Sequence, residues 1–429
     1  MIKCLFVLLL VLSFNNLNAQ TLIKKYVKEN TAPIATIDPD STNFSDLQVI
    51  GDAIGNARIV MLGEQDHGDA PTFLAKTKLI KYLHEKKGFN VLAFESDFFG
   101  LNEGWDELNK TENNLDNFIA ENIFEVWTGC DACKDLFYQY IPDTYNTEHP
   151  VILTGFDSQL GLGYTQAHLR HQLDSLFKRL KLPIVDSPDY TTKILPLFDD
   201  LYNTVKAPGD SIFYTIHSFY FKVIKSQLSK RLDNTNFWMM VMDNLLSNNL
   251  MLHYRFTGKY NYLKFQDTRD EQMAKNLKWL CEVKYPHQKI IVWAHNVHVS
   301  KYNGHYPQSF LNQMKTMGGV FTSDGMFMKE TYILGFTSYE GTAGRLFHQQ
   351  YQLPEPKRNS LERWINPAYQ YAFIDFKSFR KQYPKYKKQF FMAGSILGNE
   401  HHTISKARWD KIFDGVFFIR KMYPCKNIN

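Results

Sequence analysis

Short, unbroken apolar runs punctuate the chain, and each stops against a polar residue. Ile59-Val60-Met61-Leu62 gives way to Gly63-Glu64, and Val91-Leu92-Ala93-Phe94 stops at Glu95. Val151-Ile152-Leu153-Thr154-Gly155-Phe156 ends at Asp157, and Lys289-Ile290-Ile291-Val292-Trp293-Ala294 runs straight into His295-Asn296-Val297-His298. Runs of four to six without polar alternation fit strands buried on both faces. Further candidate strands lie at 332–336, 371–375 and 415–419. Long connections separate them, which favours an α/β fold over a sandwich: a mostly parallel or mixed central sheet flanked by helices.

The helical pattern fills the gaps. Between the first two runs Phe73, Leu74, Leu79, Ile80 and Leu83 recur on one face. Asp69 suits the N-cap, Pro71 the first turn, and Lys86-Lys87-Gly88 a cation-rich end with a C-cap glycine. Strand, helix and strand make a βαβ unit, so both strands deliver their carboxyl ends to one sheet edge. A short helix is expected near 46–51 and another over 117–126. From about 166 to 285 no strand signal interrupts. Helices are expected at 212–232, 236–253 and 267–283, and this stretch reads as a helical insertion beside or over the sheet.

The amino terminus follows a different pattern. Lys3, the apolar run 5–12 and Leu17-Asn18-Ala19 read as a secretory signal peptide over residues 1–19, cleaved after Ala19. The run is too short to span a bilayer, and no later stretch reads as a transmembrane segment. The expectation is an exported protein, secreted or periplasmic, formed by residues 20–429. The formal charge of +5 is small for 429 residues and no block of like charges stands out, so nucleic acid is not an expected partner. Aromatic residues make up 15% of the chain, which calls for a large core or a ring-lined cleft.

Cys130-Asp131-Ala132-Cys133 is a C-x-x-C pair. In an oxidising compartment it predicts a local Cys130–Cys133 disulfide, since no second pair stands at zinc-ribbon spacing. Cys281 and Cys425 have no readable partner.

Four strand ends carry titratable groups: Glu64 with His67, Glu95, Asp157, and His295 with His298. Singly, each has a plain structural explanation, such as a helix cap or an imidazole bonded to backbone. Gathered on the edge where α/β sheets bind ligands, they point to a catalytic or binding cleft. Two chemistries fit. In one, no metal takes part: His67 removes a proton from water, a carboxylate orients its ring, and the other histidines stabilise an oxyanion. In the other, His295, His298 and a carboxylate hold zinc. No G-x-S-x-G elbow is present, so a serine hydrolase lacks its usual signature.

Gly63-Glu64-Gln65-Asp66-His67-Gly68 resembles the G-E-x-x-H-G signature of the erythromycin esterase family. Gly88-Phe89 before Glu95, Gly155-Phe156-Asp157, Arg269-Asp270 followed by Met273 and Asn276, Trp293-Ala294-His295-Asn296-Val297-His298 and the closing 413–419 match in order. The resemblance implies hydrolysis of a small-molecule ester or lactone, with macrolide lactone opening as the name-giving activity. It implies His67 as the base, Glu64, Glu95, His295 and His298 lining the site, and no metal or cofactor. Arg269 and Asp157 are expected to position these groups or bind substrate. More distant relatives of the same fold are metal-dependent peptidases, which keeps a metal-dependent hydrolase open. A periplasmic binding protein that has kept the cleft without catalysis is the reading from another class.

Overall fold

The computed structural model describes residues 21–200, 209–301, 313–396 and 402–428, without the side chains of residues 395 and 396. The expected leader and its cleavage point lie outside these residues. The described strands, in chain order, are β1 (Ala32–Ile34), β2 (Ile59–Leu62), β3 (Val91–Asp97), β4 (Ile152–Asp157), β5 (Ile290–Trp293), β6 (Thr331–Ala343), β7 (Tyr351–Gln352), β8 (Tyr371–Asp375), β9 (Phe390–Ile396), β10 (His402–Ala407) and β11 (Gly415–Met422). Eight of them form the path β1-β8-β11-β6-β2-β5-β3-β4, β7 pairs with β6, and β9 and β10 make a separate hairpin.

From β11 to β4 every neighbouring pair is parallel. β8, β1 and β7 add antiparallel pairings, so the sheet is mixed. The unbroken apolar runs have a direct cause. Ile59, Met61, Val91 and Ala93 pack into one core, while Val60, Leu62, Leu92 and Phe94 pack into a second core on the opposite face. The second face is covered by the helix Ala70–Lys87, whose Phe73, Leu79, Ile80 and Leu83 are fully buried. Burial of each such side chain stabilises the fold by roughly 1.5–3 kcal/mol. The first face is covered by the helices Gly163–Arg179, Ser211–Leu228, Phe237–Phe256 and Tyr262–Trp279, through residues such as Leu173, Leu245, Met273 and Leu277. No helix among the described residues is long and apolar enough to cross a membrane.

Chain order fixes where a ligand can sit. The chain leaves β2, builds β3 and β4 on one side, returns through β5 between β2 and β3, and places β6 on the other side of β2. That reversal opens a crevice at the carboxyl ends of β2 and β5.

Three local expectations change. Gly88 ends the Ala70–Lys87 helix in the left-handed conformation (φ 72°), as its position suggested, but Asp69 makes no side-chain cap bond at the other end. Its carboxylate is drawn to the Asp66 backbone N–H and to His402 instead. The 117–126 helix is broken: Glu112–Asn122 stops, Ile123 and Phe124 turn extended, and Glu125–Thr128 begins again.

The local Cys130–Cys133 bridge is also not formed. Cys130 is bonded to Cys425, 295 residues away, with Cα atoms 5.4 Å apart, and Cys133 is a buried free thiol, as is Cys281. Asp131–Cys133 coils into a 3₁₀ turn, while extended Cys130 faces the segment that follows β11. That segment is hydrogen-bonded on both sides. Cys425 N–H donates to Gly68 C=O (2.8 Å), Ala70 N–H to Tyr423 C=O (3.1 Å), Asp131 N–H to Lys426 C=O (2.9 Å) and Ile428 N–H to Gly129 C=O (3.0 Å).

Candidate active site

The loop after β2 is shaped by two close backbone approaches. A side chain at Gly63 would put its Cβ 2.0 Å from Asn296 Oδ1, and one at Gly68 would lie 2.3 Å from Gly344 C=O. Glycine at both ends of Gly63–Gly68 is therefore a packing requirement. Asn296 secures the same region: its N–H donates to Glu64 C=O (2.7 Å), and its side-chain amide donates to Phe336 C=O (2.8 Å) and Gly394 C=O (2.6 Å).

Inside this loop Glu64 is fully buried and saturated with donors. Its Oε1 meets His67 Nδ1 at 2.6 Å and accepts from Trp127 Nε1 at 3.0 Å; its Oε2 accepts from Lys76 Nζ at 2.7 Å. Burial alone would raise the Glu64 pKa, but the Lys76 charge and the His67 bond bring it below the ordinary carboxylate value. With Nδ1 donating to that carboxylate, His67 carries its free electron pair on Nε2. No hydrogen bond to Nε2 is found among the described residues, and the ring borders a cavity of about 670 Å³.

Across the cavity Arg269, from the Tyr262–Trp279 helix, ties two strand ends together. Its guanidinium donates to Asp157 at the end of β4 (Nε to Oδ1 3.1 Å, Nη2 to Oδ2 2.5 Å) and to Glu95 Oε1 in β3 (2.8 Å). Glu95 Oε2 accepts from His295 N–H at 2.9 Å. Burial would raise the Glu95 pKa, yet His298 and Arg269 beside it hold it well below the usual carboxylate range. His298 Nδ1 bonds Asp270 Oδ1 at 2.8 Å, and its Nε2 lies 3.1 Å from Arg269 Nη1 and 3.3 Å from Glu95 Oε1. Although burial disfavours its charge, Asp270 and Glu95 raise the His298 pKa above that of an ordinary histidine.

His295 stands between the two histidines, with ring centroids 5.3 Å from His67 and 6.2 Å from His298. Its Nδ1 accepts from Val297 N–H at 3.0 Å, capping the short helix Asn296–Val299, so Nε2 carries the proton and donates to Gln65 C=O at 2.6 Å. Burial, together with its two histidine neighbours, pushes its pKa down to about 3, which fixes this neutral tautomer. Both ring nitrogens are thus committed to the protein. Zinc held by His295 and His298 fits this donor set poorly: His295 has no free electron pair, and the free edge of His298 faces the Arg269 cation. The one group of three metal-type side chains that converges among the described residues is Cys130, Asp131 and Cys425, whose sulfurs are spent on the disulfide.

The structure therefore brings Glu64, His67, Glu95, Asp157, Arg269, His295 and His298 to one sheet edge. It adds residues that sequence reasoning missed. Lys76 is fully buried against Glu64, with Nζ 3.9 Å above the Trp293 ring. Trp127 packs edge-on to His67 at 5.0 Å. Asp66 accepts from the His67 N–H (2.8 Å), Arg345 Nε (2.7 Å) and Tyr351 OH (3.0 Å), and His402 joins through Tyr351 OH (2.7 Å) and Asp69 (3.0 Å). A second cavity, of about 560 Å³ beside His84 and His149, lies at the amino ends of β3 and β4, away from all these groups.

Comparison with known proteins shows the family and the fold. The family model described as erythromycin esterase matches residues 84–422, a span that begins after the Gly63–Gly68 loop. The protein YbfO of Bacillus subtilis (strain 168), named provisionally as a hydrolase, is 25% identical over 79% of this chain and 79% of its own. Erythromycin esterase type II of Escherichia coli is 22% identical over 93% of this chain and 97% of its own. Among solved structures, a Bacillus cereus protein superposes with a TM-score of 0.71 at 21% identity, covering 96% of this chain and 99% of that one. An erythromycin esterase variant in its open conformation gives 0.67 at 15% identity, over 93% and 99%. On these matches the chain belongs to the erythromycin esterase family and is a hydrolase of the esterase kind.

Proposed function

We propose that the protein hydrolyses an ester or lactone by water activated at His67, without a metal. The observation that carries this reading is the Glu64–His67 pair at 2.6 Å, which leaves Nε2 free at the cavity. In the reaction, His67 Nε2 takes a proton from water as the water oxygen bonds to the carbonyl carbon. The carbonyl oxygen becomes an oxyanion. As the carbon–oxygen ester bond breaks, the proton passes from His67 to the departing alkoxide. Arg269, held by Glu95 and Asp157, is the donor placed to stabilise the oxyanion, and His298, bonded to Asp270 and facing Arg269, orients that cation. His295, with both nitrogens committed, positions the loop through Gln65 and keeps His67 and His298 apart.

The erythromycin esterases among the relatives make a macrolide lactone the first substrate to try. Export is part of this proposal; the signal-like residues 1–19 and the Cys130–Cys425 bridge support it. The test is His67→Ala against a panel of lactones and simple esters. Melting and circular dichroism should match the parent, while kcat/KM falls by about 10²–10⁴-fold. A folded variant that keeps its turnover overturns the mechanism.

A further inference from the structure

The wall of the cleft opposite the strand ends has a consistent chemistry. It is built from the end of the Phe237–Phe256 helix and the start of the Tyr262–Trp279 helix, and it brings Phe256, Tyr260, Tyr262 and Phe265 to the cavity. Among the described residues no Asp or Glu lines the cavity, whereas Arg255, Arg269 and Arg345 all do. Two of these cations are already matched, Arg269 by Glu95 and Asp157, and Arg345 by Asp66. Arg255 is different. It is exposed, its guanidinium lies 5.4 Å from the Phe256 ring, and it forms no ion pair among the described residues. The chain from Asn244 to Gln266 contains no Asp or Glu at all, while Lys259 and Lys264 add to its positive charge.

An aromatic wall carrying an unmatched cation suits a ligand with an apolar body and an anionic end. We propose that the cleft prefers esters of this kind, carboxylate-bearing amphiphiles, and that Arg255 is the residue that reads their charge. The proposal rests on the hydrolase reading above and names its substrate class. The apolar body lies along the rings. The anionic group reaches Arg255 at the mouth, and the ester carbonyl reaches His67 at the floor. Arg255 sets specificity and takes no part in bond breaking, so its effect falls on KM more than on kcat.

The test uses three p-nitrophenyl esters with the same chain: the monoester of suberic acid, the ester of octanoic acid, and the ester of 8-(trimethylammonio)octanoic acid. The parent protein should favour the anionic over the cationic ester by about tenfold in kcat/KM at low ionic strength. At 0.5 M sodium chloride the ratio should shrink about threefold, because a charge at the mouth is screened. Arg255→Ala should remove most of the preference and Arg255→Glu should reverse it. Because Arg255 is exposed, both variants should melt with the parent. A parent ratio within twofold of unity, or an Arg255→Glu ratio equal to that of the parent, overturns the proposal. Calorimetry of the matching non-hydrolysable anilides with His67→Ala separates this inference from the reading it rests on. If esters are turned over without charge preference, the charge reading falls and the hydrolase stands. If no ester is turned over yet the carboxylate anilide binds more tightly than the trimethylammonium one, the hydrolase reading falls and the charge reading stands.

Discussion

Lys76 Nζ lies 2.7 Å from Glu64 Oε2, on the carboxylate whose other oxygen meets His67 at 2.6 Å, and both charges are fully buried. Burial outweighs the pull of Glu64 and lowers the Lys76 pKa to about 8. Above that pH the lysine gives up its proton, and Glu64 loses the cation that holds it against His67. The pH profile of kcat/KM should therefore fall on an alkaline limb near 8. Lys76→Arg, whose side chain stays charged, should move that limb upward. Stability should move the other way. The folded pKa of about 8 lies below the unfolded value near 10.4, so between these values the unfolded chain binds more protons, and this group favours the folded state increasingly as pH rises. Parallel kinetic and melting profiles from pH 7 to 10 check both signs.

Removing the carboxylate alone strands the lysine. Glu64→Gln should lower stability by about 3–5 kcal/mol in urea, because a buried cation is left without its partner. It should also lower kcat/KM by at least about tenfold, since the negative charge that steadies a protonated His67 is gone. The double variant Glu64→Gln with Lys76→Met should regain much of the stability and none of the activity. Recovery of both would show that the pair serves folding alone.

Arg269 makes the equivalent test on the opposite wall. Arg269→Met leaves Glu95 and Asp157 buried with their shared cation removed, at a cost of about 3–5 kcal/mol near pH 7. In the parent the folded pKa of Glu95 lies below its unfolded value, so its contribution is present above the unfolded value and is lost as pH falls through the folded one. In the variant His298 remains but the pull of Arg269 is lost, so the folded pKa rises and less stability is lost on protonation. The stability gap between parent and variant should narrow as pH falls from 7 towards 4. A gap that widens contradicts the assignment.

The Cys130–Cys425 bridge is checked by peptide mapping without reductant, which should recover those two cysteines in one linked species. Cys133 and Cys281, both buried, should react with iodoacetamide after unfolding alone. Cys130→Ser with Cys425→Ser should cost about 2–5 kcal/mol of stability. A Cys130–Cys133 peptide would contradict the structure.

Strand ends were legible because a strand buried on both faces leaves an apolar run with a sharp stop, and Glu64, Glu95, Asp157 and His295 stand at those stops. Lys76 left a fainter mark: it occupies the same helical stripe as Phe73, Ile80 and Leu83, where a solvated lysine is out of place. Asp270 was visible beside Arg269, but its partner His298 lies 28 residues on, and only the fold brings the two together. Tyr351 and His402 come from a two-residue strand and from a hairpin of half-polar strands, which carry no periodic signal. The cysteine pairing failed for a related reason. Spacing in sequence favoured Cys133, whereas the bond depends on the segment after β11 lying beside Gly129–Asp131.

That segment sets an order of events during synthesis. Residues 423–428 hold the loop behind His67 on one side and the turn behind Trp127 on the other, yet they leave the ribosome long after both. β11, which leads into them, also joins β6 to β8 in the sheet. Until it arrives, the loop that carries the base lacks the bonds that Gly68 and Ala70 make to Cys425 and Tyr423. A nascent chain can hold every residue of the site and still be inert, and a truncation just after β10 should give a protein with Glu64 and His67 in sequence but not in register.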